Sequence, residues 1–117
     1  MINWKYKEEN AFSKRKSESE KILQKYPDRI PIIIEKIPYS DVPEIDRHKY
    51  LVPQDISVAQ LIWIIRKRLN ISSDKSMNIF ANKTIPNSTV LLNELYYQHK
   101  DEDGFLYISY TAENAFG

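Results

Sequence analysis

A chain of 117 residues with no cysteine, carrying 17 Lys+Arg against 16 Asp+Glu for a net charge of +1, is sized for one domain with its own core. These numbers exclude disulfide scaffolds, thiolate metal sites and cysteine nucleophiles, and they argue against nucleic-acid or membrane-surface binding through bulk charge. The charged start Trp4-Lys5-Tyr6-Lys7-Glu8-Glu9 lacks the apolar stretch of a signal peptide, and the longest apolar run, Leu61 to Ile65, is far below the ~20 residues of a membrane span, so a soluble intracellular protein is expected.

Residues 1–28 are polar, with apolar residues at helical spacing. Asn10 is placed to cap a helix from Ala11 to about Tyr26, ended by Pro27. Phe12, Ile22, Leu23 and Tyr26 give it a thin apolar stripe, and Lys14, Arg15, Lys16, Lys21 and Lys25 dominate its other face. From Arg29 the period changes. Ile30, Ile32, Ile33 and Ile34, interrupted only by Pro31, predict a strand buried on both faces, with Pro31 outside the central ladder pairing or at an edge because it has no N–H. Residues 38–44 read as a loop, and Lys49-Tyr50-Leu51-Val52-Pro53 as a short strand at a sheet edge.

Ser57-Val58-Ala59-Gln60 has the form of a capping box, and Val58, Leu61, Ile62, Ile65 and Leu69 then repeat with helical period, Ile64 and Trp63 lying off that stripe. A strand follows at Met77–Ala81, a short helix at Val90–Gln98 and a strand at Gly104–Tyr110, before a small, polar tail. The order predicts an α+β domain, a β-grasp with its main helix on one face of a four-stranded mixed sheet and N-terminal helices on the other. The expected division is a helical extension over 1–28, the β-grasp domain over 29–110 and a flexible tail over 111–117.

Tyr6-Lys7-Glu8-Glu9, Lys25-Tyr26-Pro27-Asp28-Arg29-Ile30-Pro31, Lys49-Tyr50-Leu51-Val52-Pro53, Arg66-Lys67-Arg68 and Phe105-Leu106-Tyr107-Ile108 together resemble the autophagy ubiquitin-like modifiers, most closely the GABA-receptor-associated branch. The resemblance covers essentially the whole chain. It implies the ubiquitin-like fold with two additional N-terminal helices, and attachment to phosphatidylethanolamine through a C-terminal glycine matched by Gly117, with Glu113 and Phe116 in the preceding tail. Glycine suits that role because a terminus without a Cβ can thread a narrow enzyme channel. Family members are usually made with residues beyond this glycine, so Gly117 is either encoded last or exposed by trimming.

The resemblance also implies capture, by strand addition, of peptides carrying an aromatic residue, two variable residues and an aliphatic one, often preceded by acids. The aromatic pocket would use Glu18, Ile22, Pro31, Lys49, Leu51 and Phe105, and the aliphatic pocket Tyr50, Val52, Pro53, Leu61, Ile64 and Arg68. Arg29 and Arg47 would contact the flanking acids. Leu61 stands where family members commonly carry phenylalanine, and Gly104 where they carry a large residue. The implied partners are the activating and conjugating enzymes of the autophagy lipidation pathway, a deconjugating cysteine protease, motif-bearing receptors and the membrane through covalent lipid. No nucleic acid is implied, and a monomer in solution is expected.

The alternative is an unconjugated adaptor or trafficking tether, with Lys14, Arg15 and Lys16 docking to tubulin or anionic lipid. An enzyme has no positive support. His48 and His99 are far apart without metal-binding spacing, two glycines cannot build a phosphate loop, and no carboxylate pair stands in an apolar setting. No cofactor is expected.

Overall fold

The first strand organises the molecule. In the computed structural model, which describes residues 3–72 and 74–113, β1 (Arg29–Lys36) buries every residue from Ile30 to Glu35. Antiparallel to it on one side runs β2 (Lys49–Pro53), and parallel to it on the other runs β4 (Leu106–Glu113). β3 (Ser76–Ala81) pairs antiparallel with the far side of β4, giving the order β2-β1-β4-β3 with β2 at an edge.

Successive residues of β1 point to opposite sides, so each face needs its own cover. Ile30, Ile32 and Ile34 join Leu106, Ile108 and Tyr110 in the main core beneath α3 (Val58–Leu69) and α4 (Leu92–His99). The capping box forms as the sequence predicts: Gln60 N–H donates to Ser57 Oγ at 3.2 Å, and Ser57 N–H to Gln60 Oε1 at 2.8 Å. Val58, Leu61, Ile65 and Leu69 are the buried residues of α3. On the other face, Ile33, Phe105 and Tyr107 form a smaller cluster with Trp4, Tyr6 and Ile22, beneath α1 (Lys5–Glu9) and α2 (Phe12–Lys25). This is the ubiquitin-like β-grasp with two N-terminal helices.

The N-terminal helices dock by polar groups more than by the apolar stripe. Phe12 is 46% and Tyr26 37% exposed, whereas the buried residues of α2 are Arg15 and Ser19. Arg15 therefore leaves the solvated basic face assigned to it, because Asp103 supplies a buried counter-charge at 2.7 Å. Asn10 does not cap α2, whose N-cap is Ala11 without a side-chain bond; its side-chain amide instead donates to the Tyr6 carbonyl at 3.0 Å. The start of α1 is held from outside by the buried Glu35, whose carboxylate accepts the Lys5 and Tyr6 N–H groups at 2.9 and 3.0 Å.

The last strand is displaced from its expected span. Gly104 stands before it in a turn at φ +92°, and β4 continues to Glu113 because Thr111, Ala112 and Glu113 pair with Asn78, Met77 and Ser76. Pro31 behaves as its missing N–H requires. Ile34 N–H donates to the His48 carbonyl at 2.8 Å, so by alternation residues 32 and 30 bond to β2 and Pro31 faces the other way, one residue before pairing with β4 begins at Ile32.

Candidate functional site

The same alternation exposes a template on β2. Tyr50 and Val52 turn their backbone groups towards β1, leaving the N–H and C=O of Lys49 and Leu51 on the open side of the sheet. An added strand would find donors and acceptors there at the spacing it needs.

The side chains of β2 divide between the two faces. Lys49 pairs with Ile33 and Leu51 with Pro31, so both lie on the side covered by α2. There the ammonium of Lys49 bonds the carboxylate of Glu18, and its Nζ lies 5.7 Å from the centre of the Tyr6 ring. Ile22, one helical turn after Glu18, joins Phe105 and Ile33 in the smaller cluster. All six residues expected for an aromatic pocket thus share one face. Phe105 is fully buried, while Ile22 and Leu51 are half-buried. Burial pulls the Lys49 ammonium below its usual range, with a smaller push from the nearby charge of Lys14.

Tyr50 pairs with Ile32 and Val52 with Ile30, which sets them on the α3 side. Tyr50 packs against the main core, in which Leu61 and Val52 are buried, and Ile64, three residues after Leu61 on α3, is half-buried. Arg68 holds its guanidinium 6.0 Å from the centre of the Tyr50 ring. Burial raises the Tyr50 phenol above its ordinary pKa, opposed by the charge of Arg68. Pro53 departs from this group: it pairs with Arg29 and so has the parity of Leu51 and Lys49, at the exposed end of the strand. Arg29 and Arg47 are exposed and enter no ion pair among the described residues.

Two contributors escape the sequence reading. Tyr6 packs edge-on against Phe105 with ring centres 5.4 Å apart, and Ile33 completes the same cluster. Ile33 was legible as core, but only its register with Lys49 assigns it to this side. Tyr6 is separated from Phe105 by most of the chain, and no local pattern could join them. A further cleft of about 440 Å³ on the α1 side is lined by Trp4, Ile37, Tyr39, Phe80, Asn82, Lys83 and Ser109, from segments equally scattered in sequence.

The basic face proposed to dock tubulin or anionic lipid loses Arg15 to its buried pair with Asp103. His48 Nδ1 bonds the Ile34 carbonyl oxygen at 2.9 Å, and His99, at the end of α4, holds Nδ1 3.3 Å from the Asn82 amide. Among the described residues no group of three or more His, Asp or Glu is placed to hold a metal ion, and no helix is long and apolar enough to cross a membrane. Gly117, Phe116 and the side chain of Glu113 lie outside the described residues.

Comparison with known proteins gives a consistent result. The family model described as "Autophagy protein Atg8 ubiquitin like" matches residues 14–117. Autophagy-related protein 8 of Mycosarcoma maydis is 51% identical over 112 residues, covering 96% of this chain and 95% of that protein. The Aspergillus niger protein of the same name is 51% identical over 113 residues, covering 97% and 96%. The crystal structure of Trypanosoma brucei ATG8 superposes with a TM-score of 0.93 at 40% identity, covering 99% of this chain and all of that one. These relatives do not single out the GABA-receptor-associated branch.

Proposed function

This chain belongs to the Atg8 family of ubiquitin-like autophagy proteins, and from that premise we propose that it is conjugated through Gly117 to phosphatidylethanolamine on autophagosomal membranes and recruits receptors carrying aromatic-x-x-aliphatic motifs. The family comprises ubiquitin-like modifiers and adaptors, so its chemistry is done on it by other proteins. The Gly117 carboxylate would attack ATP to form an adenylate with release of pyrophosphate, and an enzyme thiol would then displace AMP to give a thioester. The amine of the lipid then displaces the thiol and forms an amide. Lipid attached in this way anchors a domain that has no membrane-crossing helix among its described residues. A cysteine protease would reverse the step, and the protein would divide its time between cytoplasm and vesicle membrane.

The observation that carries the recruiting role is the open edge of β2, whose unpaired backbone groups run between two differently lined faces. A peptide laid along it would place alternate side chains against the Ile22–Phe105 side and the Tyr50–Leu61 side. Two fixed pockets separated by two positions would read an aromatic and an aliphatic anchor. Arg29, Arg47, Lys49 and Arg68 would draw in acidic residues, a contribution weakened by salt. Titration calorimetry of a synthetic aromatic-x-x-aliphatic peptide against the wild type and a Tyr50→Ala, Leu51→Ala variant tests this. Loss of binding in the variant supports the two-sided groove. Unchanged affinity removes it.

A further inference from the structure

Two of the cations expected to meet a peptide's acids are already held by carboxylates of this chain, Lys49 by Glu18 and Arg68 by Asp46. The second pair involves a residue with no role so far. Asp46 lies four positions before Tyr50, in the segment that leads into β2. Both of its carboxylate oxygens are 3.1 Å from Arg68 Nη2, which fixes the guanidinium beside the Tyr50 ring. The side chains of Asp46 and Arg68 are 70% and 41% exposed, so the pair is a solvated one, weakly held and open to exchange. Arg68 therefore offers an acid-binding face that is already neutralised.

We propose that Asp46 is a specificity-determining residue of the groove, occupying on Arg68 the place that an acidic residue of the peptide takes as it passes Tyr50. The inference rests on the groove reading above. An acidic peptide exchanges one carboxylate for another, so it gains less from its charge than the basic rim suggests. A peptide neutral at those positions leaves the Asp46–Arg68 pair intact and loses nothing. The groove thus selects on its apolar anchors and damps the attraction of acidic sequences that lack them.

The test is calorimetry of two synthetic peptides that share the aromatic-x-x-aliphatic anchors and differ only in Glu or Gln between them. The proteins are the full chain, Asp46→Asn, Arg68→Gln and the double variant. Asp46→Asn is expected to tighten the Glu peptide by about two- to fivefold, the range spanned by a surface ion pair, and to leave the Gln peptide unchanged. In the Arg68→Gln background the gain should vanish. A gain that persists there reflects net charge alone and overturns the proposal. Equal effects on both peptides, or weaker binding of both, also overturn it by making Asp46 a support for the pocket. If the wild type binds neither peptide, the groove reading itself fails and the proposal with it.

Discussion

Arg15 Nη1 lies 2.7 Å from Asp103 Oδ2, an ion pair buried between α2 and the turn that leads into β4. The same carboxylate accepts the Tyr107 hydroxyl at 2.5 Å and the Phe105 N–H at 2.9 Å, while Ser19 Oγ donates to the Asp103 backbone carbonyl. One fully buried aspartate therefore ties the helical extension to the turn before β4, next to Phe105 of the smaller cluster. Burial and the Asp103 charge also push the Tyr107 phenol far above its ordinary pKa, so it stays a donor.

Replacing Asp103 by Ala leaves a buried guanidinium and a buried phenol without their acceptor. Breaking a buried pair in this way costs about 3 kcal/mol, a fall in Tm of roughly 10–15 °C for a domain of this size. Thermal unfolding measures it. A fall no larger than that of an exposed control such as Glu102→Ala would show that α2 is held by other contacts.

Gly104 explains its own presence. At φ +92° a side chain is strained, and an added Cβ would meet Ser19 Oγ at 2.3 Å. A larger side chain cannot be accommodated there with the turn and α2 as they stand. Gly104→Ala is expected to destabilise the fold by about 1–3 kcal/mol. Adding Ser19→Gly should recover little of the loss, since the backbone strain remains and the change itself removes the bond to the Asp103 carbonyl and weakens α2. Complete recovery in chemical denaturation would assign the whole effect to the clash.

How much was legible follows from which interactions are local. The capping box and the α3 stripe lie within twelve residues of one another and were readable, as was β1, where consecutive isoleucines demand cover on both faces. Arg15 reads as a solvated charge because its partner lies 88 positions away, and Asn10 reads as a cap because its alternative acceptor, the Tyr6 carbonyl, belongs to a first helix that apolar spacing does not locate. For the groove, resemblance named the residues, and the β1–β2 register shows which share a face. That register separates Pro53 from the aliphatic set and adds Ile33 to the aromatic side.

Asp101 gives the fold an acid-sensitive contact. Burial raises its pKa, but the Lys7 ammonium at 2.6 Å and the Asp103 N–H at 3.1 Å outweigh that and hold the carboxyl below its ordinary value. A folded pKa below the unfolded value of about 3.9 means stability that is fully present above that pH and lost as pH falls through the folded value. Asp101→Asn should therefore be less stable than the wild type at neutral pH, with the gap narrowing below about pH 4. Tm measured against pH for both proteins checks this. A gap of the same size at low and neutral pH would contradict it.

The central claim concerns the other end of the chain. Mass spectrometry of the C-terminal peptide, after incubation of the full chain with ATP, the activating and conjugating enzymes and phosphatidylethanolamine vesicles, reads it most directly. The account predicts one phosphatidylethanolamine joined to the Gly117 carboxyl of the wild type and none on Gly117→Ala. A wild-type terminus that stays unmodified, or an adduct that survives Gly117→Ala, would contradict it.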